Sequence, residues 1–155
     1  MGIVSSALRF LTEHAKETME DTKVPISIGE ALDKLTILEI KEVKLTDKDA
    51  VALVKSEAAK IVAALNEAGV PQEVQSGEDA RRLYYINLAL WNLEDEFRES
   101  SETIGDHLQA VRAFTDLATS VPTLNRKRSD AKREINEKHG SSIMEVKQYH
   151  GEEPK

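Results

Sequence analysis

Nine side chains on three separated stretches of the chain could do chemistry together: Asp33 and Glu39, then Asn87, Trp91, Glu94 and Arg98, then Asn125, Arg128 and Lys132. Three carboxylates, two guanidiniums, an ammonium, two amides and an indole form a donor-rich set suited to an anionic small molecule, such as a phosphorylated sugar or nucleotide. Glu39 stands between Leu38 and Ile40, one turn after Leu35, so its carboxyl is expected to be at least partly buried. Such a group needs a partner or takes up a proton. Arg128 falls on an apolar stripe, between Leu124 and Ala131 at helical spacing, and needs a partner equally. The pairing expected from these positions is Arg128 with Glu39 first and Glu94 second.

The Asn87, Trp91, Glu94 and Arg98 line has spacings of four, three and four, which stacks all four on one helical edge. Arg98 can reach Glu94 within the helix, and Trp91 supplies an aromatic wall. That line reads either as a boundary stripe with an intrahelical ion pair or as the edge of a ligand site. A rival chemistry uses Glu39, Glu94 and Asp95 as magnesium ligands of a nucleotide or sugar-phosphate phosphohydrolase. The acids are too loosely spaced to favour it, and no histidine follows a glutamate by three as di-iron bundles require. No nucleophile elbow, metalloprotease motif or glycine-rich phosphate loop is present, and the chain has no cysteine. No catalytic residue, metal ligand or cofactor is therefore assigned, and a non-enzymatic role is preferred.

The formal charge of −7 argues against nucleic acid or an anionic membrane as the main partner. The basic stretch 126–138 carries six cations against Asp130, Glu134 and Glu137, the pattern of a salt-bridged face. No run approaches the roughly 20 apolar residues of a membrane span. A cytoplasmic protein is expected, with a homodimer or a protein partner left open by the many leucine and alanine faces.

These side chains need helices to position them, and the periodicity supplies about five. The first covers Ile3 to about Met19, with Val4, Leu8, Leu11, Ala15 and Met19 on one face, and residues 1–23 read as a docking helix. The second starts near Ile28, where Ser27 and Glu30 have the form of a capping box. A third follows the Thr46 and Asp49 box and ends at Gly69, before Pro71. After a loop over Gln72 to Gly77, a fourth is capped by Ser76 with Asp79, and Ser100 to Gly105 breaks it. The last runs from Ile104 to about His139, kinked or re-nucleated at Pro122, with Gly140 as its cap. The expected fold is an all-α bundle, up-and-down in the main, as one domain over 24–150 with a frayed tail at 151–155. One short β pairing is allowed between the residues around Val24 and the tail at Ile143 to Tyr149.

The string PISIGEALDKLTILEIK, the helix with Asn87, Leu90, Trp91, Glu94, Asp95 and Arg98, and the run Asn125, Arg128, Lys132, Arg133, Glu134, Ile135, Asn136 before Gly140 and Ser141 have a further meaning. In order and spacing they resemble an uncharacterised bacterial and phage family of small helical domains, sometimes near or fused to proteins of cell-envelope glycan biosynthesis. The likeness covers about Val24 to Tyr149. It departs in the added N-terminal helix and at Pro122. It implies no activity, and it implies that polar residues of three segments form one constellation. The main expectation is a ligand-binding or accessory module, with the phosphohydrolase and a phage or bacterial protein-interaction subunit as alternatives.

Overall fold

The computed structural model describes residues 22–102 and 107–144. Four long helices and one single turn follow one another there: α1 (Ile28–Lys44), α2 (Lys48–Glu67), α3 (Gln72–Gln75), α4 (Glu78–Glu102) and α5 (His107–Lys138). The fold is an all-α bundle. Of the five long helices expected, the first lies outside the described residues, and so does the expected docking role of 1–23. No strand occurs among the described residues: 22–27 is irregular, and most of the tail that would pair with it is not described.

α1 is the central helix, and its residues explain why. Ser27 Oγ accepts from Glu30 N at 3.1 Å, fixing the start where the sequence placed it. Ala31, Leu35 and Leu38 then bury one face, while Gly29, Asp33, Thr36 and Ile40 bury another at spacings of four, three and four. A 17-residue helix buried on two faces must have neighbours on both sides. The first face packs toward α2, and Leu32, Leu35, Leu65, Val70, Leu83 and Ile135 form the aliphatic core. The second face meets the antiparallel pair α4 and α5. Register in that pair is set by Asp79 with Lys138 at 2.7 Å and by Arg82 with Glu134.

Several local expectations need correction. Asp47, not Thr46, caps α2, its Oδ1 accepting from Ala50 N at 2.7 Å, because Asp47 immediately precedes the first helical residue, Lys48. Ser76 does not cap α4; its hydroxyl donates to Gln72 O at 3.1 Å and closes the single turn α3, formed where a loop was expected. Gln75 Nε2 secures that turn by donating to Asn66 Oδ1 and Val70 O. Gly69 and Gly140 have φ of 75° and 67°, left-handed positions that suit glycine at helix ends. α5 runs through Pro122 without a break. Around the missing N–H, Thr115, Thr119 and Thr123 each donate a hydroxyl to the carbonyl four residues back, a pattern associated with bent helices.

Candidate functional site

Asp33 is the centre of the site. It is 2 % exposed and sits where α1 crosses α4 and α5. Its Oδ1 accepts from Asn87 Nδ2 at 2.8 Å, and the same amide donates to Thr36 Oγ1 at 3.0 Å. Thr36 in turn donates to the Asp33 carbonyl at 2.8 Å, so α1 and α4 are latched by a closed ring of polar contacts. Asp33 Oδ2 faces two cations of α5, Arg128 Nε at 3.5 Å and Lys132 Nζ at 3.9 Å. Lys132, with 5 % of its side chain exposed, also reaches Glu30 Oε2 at 2.7 Å. A buried ion pair is therefore present, with formal charges of Glu30, Asp33, Arg128 and Lys132 that cancel.

The helix spacing explains the partner change. Arg128 meets a buried carboxylate as expected, but that carboxylate is Asp33, neither Glu39 nor Glu94. Six residues at about 100° each place Glu39 roughly 120° around α1 from Asp33. Glu39 is on the exposed side, though partial burial of its carboxyl and then the charge of Glu42 raise its pKa. Glu94 is also exposed, because α1 ends before reaching it: Lys44 Nζ donates to Asn92 Oδ1 at 3.1 Å, and α4 continues ten residues further. Glu94 instead lines an open groove of about 280 Å³ with Phe114, Leu117, Ala118, Val121 and Pro122.

Of the nine residues, Asp33, Asn87, Arg128 and Lys132 come together. Trp91, one turn beyond Asn87, is half-buried, and the α4–α5 register places it at the level of Asn125 and Arg128. Arg98 pairs with Asp95 at 3.1 Å on an exposed surface, and Asn125 is exposed. Sequence reading left out Glu30, Thr36 and Gly29. The spacing of Gly29, Asp33, Thr36 and Ile40, a small and polar line inside an apolar helix, is the signal that finds two of them. Asn136, 1 % exposed, accepts from Gly29 N through Oδ1 at 2.7 Å. It thus satisfies one of the N–H groups that a helix start leaves without an intrahelical partner.

Three polar atoms of the site are buried with no hydrogen-bond partner among the described residues: Trp91 Nε1 and Asn136 Nδ2, both donors, and Asn87 Oδ1, an acceptor. Unmet groups of this kind cost about 1–3 kcal/mol each unless something answers them. Arg128 keeps 31 % of its side chain in solvent while its Nε lies 3.5 Å from Asp33 Oδ2, so the guanidinium sits at the solvent edge of the cluster. Among the described residues no three histidine, aspartate or glutamate side chains gather as a metal site, so Glu39, Glu94 and Asp95 do not converge. No helix among them is long and apolar enough to cross a membrane. No family model, curated protein or solved structure matches the chain.

Proposed function

We propose that the protein is a non-enzymatic binding module that takes an anionic small molecule, a phosphorylated sugar or nucleotide, at the rim of the Asp33 cluster. The observation that carries this reading is the partly exposed guanidinium of Arg128, held against Asp33 at the level of Trp91, whose buried indole N–H has no partner. A planar guanidinium recognises phosphate and carboxylate bidentately. Asp33 fixes the Arg128 side chain from behind, Asn87 fixes Asp33, and Lys132 balances the charges of Glu30 and Asp33. A neutral cluster accepts an anion only at its solvent edge, which is where Arg128 lies. The same three segments carry the likeness to the small helical bacterial and phage domains, and membership of that family belongs to the same proposal. So does a cytoplasmic location.

Trp91 is the single tryptophan of the chain, so its emission reports on the site without labelling. Titration with inorganic phosphate, nucleotides and nucleotide sugars should give a saturable change for at least one of them, and Arg128→Gln should abolish it. A flat emission across the panel, with no ligand raising the melting temperature, refutes the binding reading and leaves a protein-interaction subunit. A magnesium-dependent rise in melting temperature that Glu94→Gln removes would refute it in favour of the phosphohydrolase.

A further inference from the structure

The α4–α5 hairpin outruns the rest of the bundle. α5 has 32 residues against 17 in α1, about 48 Å against about 26 Å at 1.5 Å per residue. α1 ends beside Asn92, and α4 and α5 run on past that point with the open groove between them. Five of the six residues lining the groove are apolar side chains of α5, and the sixth is Glu94 of α4. Val111, Phe114, Ala118 and Val121, at spacings of three, four and three, lie within about 80° of one another on the helical projection. Val111 and Phe114 are each 60 % exposed, Ala118 is exposed and Val121 is half-buried, so one apolar face of α5 stands largely in solvent. The Phe114 ring is held in place from one side by Phe97, their centroids 6.4 Å apart. An exposed apolar strip of this kind marks an interaction surface more often than an ordinary solvent face.

Charge decides what suits that surface. Residues 92–122 carry seven acids against two cations, Arg98 and Arg112, a net charge of −5 within a chain of net charge −7. Arg98 is paired with Asp95 at 3.1 Å, and Arg112 projects about 140° away from the centre of the apolar face of α5. Glu94 is exposed and is the one charged residue among those lining the groove. An acidic partner or an anionic lipid surface would be repelled there, and a basic one attracted. A second copy of this chain suits the groove less well, because its tip would set acids against acids. The covered half of the hairpin shows the mode: α1 lies across α4 and α5 with a largely apolar line and one charge, Asp33, matched to cations of α5. We infer that the groove is the docking site for a basic amphipathic helix of another protein. Its apolar line covers Phe114 to Val121, and one lysine or arginine meets Glu94, which is a helix-in-groove contact of the usual kind. This surface is separate from the Arg128 rim.

The probe is a synthetic peptide of about 14 residues, about 21 Å as a helix, with leucines at i, i+3, i+7 and i+10 and lysines and alanines elsewhere. A second peptide carries glutamates in place of the lysines. Fluorescence anisotropy of the labelled peptides against the full-length protein should show saturable binding of the basic one, with the acidic one weaker by about tenfold or more. Phe114→Asp and Glu94→Lys should each weaken the basic peptide by about tenfold. Glu73→Lys, on the exposed turn α3 at the opposite end of α4, makes the same change in net charge and should leave binding within about twofold. Equal losses for Glu94→Lys and Glu73→Lys reduce the attraction to overall charge and overturn the inference. Equal binding of the two peptides, or binding of neither, overturns it as well. A concentration-dependent dimer in sedimentation that Phe114→Asp abolishes overturns it in favour of a second copy.

Discussion

Replacing Asp33 by asparagine keeps the shape of the side chain and removes its charge, which isolates what the buried pair contributes. At an effective dielectric constant of about 20, Arg128 at 3.5 Å and Lys132 at 3.9 Å attract the carboxylate by roughly 5 and 4 kcal/mol. Burying the carboxylate costs several kcal/mol and offsets much of this. Loss of one partner from a buried pair costs about 3–5 kcal/mol, because the remaining charge stays desolvated. Two features move Asp33→Asn to the lower end: Lys132 keeps Glu30 at 2.7 Å, and Arg128 is partly in water. The expected loss is about 3 kcal/mol in urea unfolding followed by far-UV circular dichroism, with an unchanged denaturant slope. At about 3 °C per kcal/mol for a chain of this size, the melting temperature falls by about 9 °C. Adding Arg128→Met to Asp33→Asn should cost less than Arg128→Met alone, since the cation then has no carboxylate to lose. A loss below about 1 kcal/mol, or strictly additive costs, refutes the role given to the pair.

Gly29→Ala places a Cβ 2.5 Å from Lys132 O and 3.0 Å from Lys132 Cα, both backbone atoms, so α1 and α5 must part. The helix-propensity gain of about 1 kcal/mol is outweighed, and a net loss of about 1–2 kcal/mol is expected in the same unfolding assay. Asn136→Leu removes the acceptor of Gly29 N and leaves a buried N–H unmet, for a loss of about 1–3 kcal/mol and faster exchange of that amide. Glu39→Gln goes the other way. The folded pKa of Glu39 is raised, so the folded state is penalised by its charge above that pKa and relieved below the unfolded value. The variant should melt higher than the parent at neutral pH, with the gain shrinking as pH falls through the carboxylate range.

The helices of this fold were legible because their signals are local. Ser27, Gly69 and Gly140 mark ends through a cap or a left-handed φ that needs no knowledge of the partner helix. The identity of the buried acid was less legible because it depends on which face of α1 meets α4 and α5. Leu38 and Ile40 flank Glu39 in sequence, but both are buried on faces that point away from it. Asp33 shares its face with Gly29, and the contact of Gly29 with the α5 backbone is what brings that face inward. Glu30 shows the same limit. Its backbone N–H donates to Ser27 Oγ as expected, but its carboxylate pairs with Lys132 across the bundle instead of reaching back to the helix start. A local motif fixes the backbone end of such a residue and leaves its charge available to a distant cation.

The position of the polar cluster follows from the mismatch in helix length. A buried ion pair adds little stability over a well-packed aliphatic substitute, so a polar Asp33 face makes poor sense as an energy source. It makes better sense where an apolar face would continue too far. α4 and α5 carry apolar residues well past the end of α1, and a wholly aliphatic α1 could slide along them by one turn with little loss. Asp33 forbids that slide, because its two oxygens are matched to Asn87, Arg128 and Lys132 at one register, and a shift would leave a carboxylate and an ammonium buried apart. The same fixed register ends α1 beside Asn92, so the groove lined by Glu94 and Phe114 starts beyond it, and it holds Arg128 near the level of the half-buried Trp91. Specificity of packing and access to the rim thus come from one set of residues. Variants of Asp33 should therefore disturb the emission of Trp91 even where the helix content is retained.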